Sequence, residues 1–347
     1  MDSFLRIPEH NAYPREKKRA VRTFCRLYLS IFVFLVFISL AVFGLMYGIL
    51  LLFGNDTGRE ILSSYYFVYS AQVLVLHLLG LPLFWVLNLG IARDYSERKP
   101  MRFGQLMIWF LISMFVMLAG AEIAAVISDI IYMIFPVSSS GGSAINDFIS
   151  GVPIWLVLLV VVIIGPIFEE LMFRKIMMDR LSIYGNRLAI FVSAVSFGLY
   201  HGNIDQLIYA TGIGVVLGTV YSKTRMIRYP IILHVLANFF GTVPAICSQY
   251  CANALSGLSE ADPGYLALSA LYSLIPAILA FIQNGLFIAG LVFFVISVVK
   301  KRFLPERRVQ IRISGFTLTR AIILNGGAIL FLGFSIYEIV SSLPIAW

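Results

Sequence analysis

A chain of 347 residues that is 60% hydrophobic and only 13% charged, with a mean hydropathy of +0.90, carries more apolar surface than one water-facing globule can bury. That composition excludes a soluble single domain and makes a polytopic membrane protein the starting point. The formal net charge of +8 is explained below by membrane topology, so no nucleic-acid partner is required.

Each crossing of a hydrocarbon core about 30 Å thick takes about 20 apolar residues as helix, because a helix satisfies its own backbone groups in a single pass. Nine segments are predicted, over 27–53, 64–91, 103–136, 152–174, 188–202, 205–222, 229–250, 264–299 and 321–345. The fold class is therefore all-α, a polytopic transmembrane helical bundle of about eight to nine membrane helices with its active site buried between them.

The first segment follows a polar, basic stretch, 1–26, and is too long for a signal-peptide core, so it is expected to be retained as an anchor. The Gly/Ser stretch 136–147 reads as an exterior loop. The fifth and sixth segments are short, and the eighth is long with Pro276 inside it, which predicts a span plus a bent outer portion. "GIGVVLG", 212–218, has helix-packing spacing and no preceding strand. Cys25, Cys247 and Cys251 lack zinc-ribbon spacing; the last two are expected to be free thiols, because a helix holds residues four apart too far for easy bridging, with a short-loop disulfide as the alternative were that stretch not helical.

Basic residues fix the orientation. With a cytoplasmic N-terminus, the inside loops 1–26, 92–102, 174–187, 223–228 and 300–320 hold 25 of the 26 Lys and Arg residues, leaving Arg59 outside. The protein is thus expected to be a multi-pass integral membrane protein with a cytoplasmic N-terminus and a C-terminus on the other side. Its compact size and basic N-terminus suit a bacterial plasma membrane; an endoplasmic reticulum membrane is the alternative.

Ionisable groups within a bilayer are costly and are by default functional candidates facing the protein interior. Here they are His77, Glu122, Asp129, Glu169, Glu170, Arg174, His201, His234 and Glu338. Glu170 and Arg174 are four apart and share a helix face, so they can pair and spare each other an unpaired charge. Glu169 is rotated by about 100° from Glu170 and points elsewhere. Phe197 and His201 share a face, as do His234 and Asn238.

A carboxylate, two imidazoles and an amide on three helices form a set able to activate water and stabilise an oxyanion. A carboxylate removed from bulk water is a stronger base, and a histidine can share the water or shuttle its proton. An asparagine amide can donate to the oxygen that becomes negative when a carbonyl is attacked. Singly, a buried histidine is more often a packing residue, and His77 keeps that reading. Glu122 and Asp129, seven apart on one face, fit helix pairing, a polar lining or an ion path, and carry no assigned catalytic role. Glu338 and Asp205 are expected near the outer boundary.

"EELMFR", "FGLYH" and "HVLAN" occur in that order as E-E-x-x-x-R, F-x-x-x-H and H-x-x-x-N. In these motifs the chain resembles the CAAX protease and bacteriocin-processing enzyme family, also called the Abi family, of intramembrane endopeptidases, which includes the type II prenyl-protein endopeptidases. The resemblance covers about 152–242. It implies that Glu169 is the general base, sharing the nucleophilic water with His201, that His234 and Asn238 form the oxyanion site, and that Arg174 holds Glu170. Glu170, Arg174 and Phe197 would support the site. The chain then divides into a basic N-terminal segment, 1–26, N-terminal membrane helices, 27–150, a catalytic core, 151–245, and C-terminal membrane helices, 246–347.

The function expected is peptide-bond hydrolysis by an activated water, without a cofactor, on a membrane-associated peptide or protein. Lipidated substrates and bacteriocin or signal peptides all fit the resemblance. Two other readings stay open: a zinc enzyme with Glu169, His201 and His234 as ligands, disfavoured because H-E-x-x-H is absent, and a non-enzymatic transporter or scaffold, which would not need Asn238 beside His234.

Overall fold

The computed structural model describes residues 13–135, 152–259, 264–313 and 315–343. The exterior loop expected over 136–147 and the C-terminal Trp347 lie outside them. Among the described residues every regular element is helical. The helices are α1 (Tyr13–Phe53), α2 (Asn55–Ser63), α3 (Tyr66–Leu87), α4 (Phe103–Ile134), α5 (Ile154–Tyr184), α6 (Asn186–Tyr200), α7 (Ile204–Thr224), α8 (Arg228–Ser256), α9 (Tyr265–Val299), α10 (Gly315–Ile322) and α11 (Gly326–Ser341). Seven of these are long and apolar enough to cross a membrane, and α10 with α11 makes a bent eighth candidate. The remaining predicted segment is α6, a shorter apolar helix.

Three elements differ from expectation. α1 begins at Tyr13, well before the apolar run, because Arg, Lys and Ala are good helix formers and extend the helix through the basic stretch. Arg26 on this extension donates to the carbonyl of Leu87. α9 is one continuous helix of 35 residues despite Pro276. The bend falls instead between α10 and α11, at 49°. There Asn325 donates to the Ala321 carbonyl and accepts from the Ala328 amide at 2.9 Å, closing one helix and capping the next.

α4, α6 and α7 form the packed centre, and small residues set their spacing. A Cβ at Gly212 would come within 2.9 Å of Val116, and one at Gly214 within 3.0 Å of Ala194. The 212–218 stretch therefore acts through close helix contact. Cys247 and Cys251 lie in α8, and all three cysteines are free.

The basic loops gather at one end of the bundle. Arg225 pairs with Asp94 and Asp179, Arg180 donates to the Asn88 carbonyl, and Lys223 to that of Arg302. Asn186 and Arg187 bind the carbonyls of Glu306 and Pro305. These bonds join loops 92–102, 174–187, 223–228 and 300–313 on a single face, as the charge partition requires of one membrane side.

Candidate active site

α5 is wound unevenly. Leu158–Ile164 and Leu171–Met178 are π-helical, and the short α-helical turn Gly165–Glu170 between them carries both glutamates. Wide turns of this kind redirect side chains and backbone carbonyls relative to a regular helix. Adjacent on this turn and rotated by about 100°, the two carboxylates have different surroundings: Glu170 is fully buried, while the Glu169 side chain keeps 20% of its exposure and opens into a cavity of about 640 Å³.

Glu170 is held from two sides. Its Oε2 lies 3.0 Å from Arg174 Nε, an approach off the hydrogen-bond axis that leaves charge attraction as the main force. Its Oε1 is 3.1 Å from Nδ1 of His234, which ties α5 to α8. Arg174, also fully buried, lies over the Phe197 ring at 5.0 Å from its centroid. Phe197 in turn meets the rings of His201 and His234 edge-on, at 4.8 and 5.6 Å. One phenyl ring on α6 thereby sets the spacing between the guanidinium and both imidazoles.

The remaining polar groups are oriented by the backbone. His201, the C-terminal cap of α6, contacts the Phe197 carbonyl through Nδ1 at 2.7 Å, leaving Nε2 for the cavity. His234 Nε2 lies 3.6 Å from Glu169. Asn238, one turn along α8, donates to the Val161 carbonyl in the first π-helical stretch at 2.8 Å. Its second amide hydrogen is not used by that bond. Glu169, His201, His234 and Asn238 all line the same cavity.

Glu122 and Asp129 point outward from α4 and do not join this site. Asp205 accepts from Ser128 in the first turn of α7, and Glu338 packs beside Gly202. Among the described residues, no three His, Cys, Asp or Glu side chains are grouped so as to hold a metal ion.

His77, expected from sequence to be a packing residue, also lines the cavity. Its Nδ1 meets the Val73 carbonyl at 2.8 Å, and its ring stands edge-on to Phe168, the neighbour of Glu169. It too sits in a π-helical stretch, Val75–Gly80. Gln206, Tyr209 and Gln283 are further polar residues of the lining. None belongs to a local motif; the one available signal was that His77 is an ionisable group at membrane depth.

Residues 151–240, about a quarter of the chain, match the family model described as Type II CAAX prenyl endopeptidase Rce1-like. The chain is 34% identical over 140 residues to the "Putative membrane peptidase YdiL" of Bacillus subtilis, covering 40% of this chain and 55% of that protein. It is 38% identical over 85 residues to the "Membrane-embedded CAAX protease MroQ" of Staphylococcus aureus, covering 22% of this chain and 34% of that one. The aligned portions thus span about half and about a third of these curated relatives. No solved structure is a significant match.

Proposed function

We propose that this multi-pass membrane protein, with its Rce1-like segment at 151–240, is an endopeptidase that hydrolyses a peptide bond within the membrane by means of a glutamate-activated water. The observation that carries the proposal is the division between adjacent carboxylates: Glu170 is locked by Arg174 and His234, while Glu169 opens into a cavity lined by two imidazoles and an amide.

In this reading Glu169 takes a proton from a water shared with His201, and the resulting hydroxide attacks the scissile carbonyl. The oxygen that becomes negative is stabilised by the free amide hydrogen of Asn238 and by Nε2–H of His234. The latter donor requires His234 to be protonated on both nitrogens, because Nδ1 donates to Glu170. Collapse of the tetrahedral species breaks the C–N bond, and Glu169 returns its proton to the departing amine. No side-chain nucleophile and no metal enters the sequence. The walls, which include Phe34, Leu81, Met117 and Phe168, suit an apolar or lipid-bearing stretch of peptide. Substrates proposed on this basis are membrane-associated peptides or proteins, including lipidated ones and bacteriocin or signal peptides, in a bacterial plasma membrane with the basic loops in the cytoplasm.

The test is Glu169→Gln, which keeps size and most hydrogen bonding while removing the proton acceptor. Processing of a membrane peptide should fall by about 100-fold or more, the lower end for loss of a general base. Cleavage by the purified wild type should persist after exhaustive chelation. Unchanged turnover in Glu169→Gln would end the proposal, and loss on chelation restored by zinc would recast Glu169, His201 and His234 as ligands.

A further inference from the structure

At the basic end, remote from the catalytic cavity, the loops enclose a second cavity of about 470 Å³. Lys99, Lys223, Lys301, Arg302, Arg225 and Arg308 line it, against two carboxylates, Glu97 and Glu306. Arg225 is committed to Asp94 and Asp179. Lys223 donates to the Arg302 carbonyl and lies 4.9 Å above the Trp109 ring. The other four cationic side chains carry neither an ion pair nor a hydrogen bond among the described residues. The Ser222 hydroxyl, buried in the wall, likewise has no partner.

We propose that this pocket binds a phosphate-bearing anion. Six cations against two carboxylates around one cleft concentrate positive potential there, and the four exposed ones are free to donate to an anion with several acceptor oxygens. Its height in the fold points to the same chemistry. The walls are the terminal turns of α7 and the loop that follows α9, where spanning helices leave the hydrocarbon and lipid phosphates reside. The source is an anionic phospholipid headgroup or a free phosphate, and each gives a different result below. The pocket is built from residues outside the catalytic cavity, so the inference stands apart from the peptidase reading.

The experiment uses the full-length protein in a neutral detergent, titrated separately with short-chain phosphatidylglycerol, short-chain phosphatidylcholine and inorganic phosphate, with the thermal unfolding midpoint as the readout. Phosphatidylglycerol should raise the midpoint saturably and phosphatidylcholine should not. In the Lys301→Gln/Arg302→Gln/Arg308→Gln variant the apparent affinity should drop about tenfold or more. A control carrying Arg22→Gln/Arg312→Gln/Arg320→Gln loses the same charge elsewhere on the basic end and should titrate like wild type. Saturation by inorganic phosphate at equal affinity would identify free phosphate as the ligand. The proposal is overturned if neither phosphate source shifts the midpoint, or if pocket and control variants lose affinity equally, since the effect would then be diffuse surface charge. Unliganded midpoints of both variants establish that each folds.

Discussion

Replacing Arg174 with Met keeps a long apolar stem in place and deletes the charge that compensates Glu170. At 3.0 Å the ion pair is worth about 5 kcal/mol of gross attraction at an effective dielectric of about 20. Because both side chains are fully buried, Glu170 cannot recover that loss from water. Its contact with His234 Nδ1 offsets a part, which leaves about 3–5 kcal/mol, the usual cost of stranding one half of a buried pair. Adding Glu170→Gln removes the stranded charge, so the double variant should regain much of the stability lost by the single one. The measurement is loss of helical signal as detergent-solubilised protein is titrated with a denaturing detergent, compared across wild type, both single variants and the double. An Arg174→Met protein as stable as wild type would refute the structural role of the pair. Equal instability of the single and double variants would refute the argument from uncompensated charge.

Three further outcomes are expected. Asn238→Ala should lower kcat by about 100-fold with little change in substrate affinity, measured by single-turnover cleavage, because the amide acts on the oxyanion formed in the transition state. Gly198→Ala should lower folded yield and thermal stability, since its Cβ would lie 2.6 Å from the Leu207 carbonyl and against the Thr211 hydroxyl at the α6–α7 contact; an unchanged midpoint would show that the two helices can separate freely. Reporter fusions after Ser140 and after Arg307 should emerge on opposite sides of the membrane, and a shared side would show that the number of crossings between them is wrong.

Much of this architecture can be read from sequence because membrane helices announce themselves by length and apolarity. The locations of Glu169, Glu170, Arg174, Phe197, His201, His234 and Asn238 were legible for a related reason, since each pair falls within one or two turns of a single helix. What could not be read depends on how helices meet. The Glu170–His234 contact joins residues 64 positions apart, and nothing local to either reports the packing of α5 against α8. His77 and Gln283 reach the cavity from α3 and α9, which carry no motif. The uneven winding of α5 is equally silent, because a π-helical turn uses the same apolar residues as a regular one. Pro276 shows the opposite error: a residue that breaks helices in water is tolerated here, while the bend falls at Asn325, whose side chain can serve both helix ends.

α6 has only 15 residues, about 22 Å of helix, against a hydrocarbon core of about 30 Å. Starting from the basic end, it runs to His201, and the chain turns back through Gly202, with φ of 66°, into Asn203, which caps α7. Asn203 also donates to the His201 carbonyl, so the reversal is supplied with its own hydrogen bonds where lipid offers none. The two arms are unequal, since α7 with 21 residues is long enough to cross while α6 alone falls short by roughly 8 Å, and a bilayer meets such a mismatch by thinning locally or a bundle by tilting. Acyl-chain length then becomes a variable of the proposed hydrolysis, since bilayer thickness sets how far bulk water stands from His201.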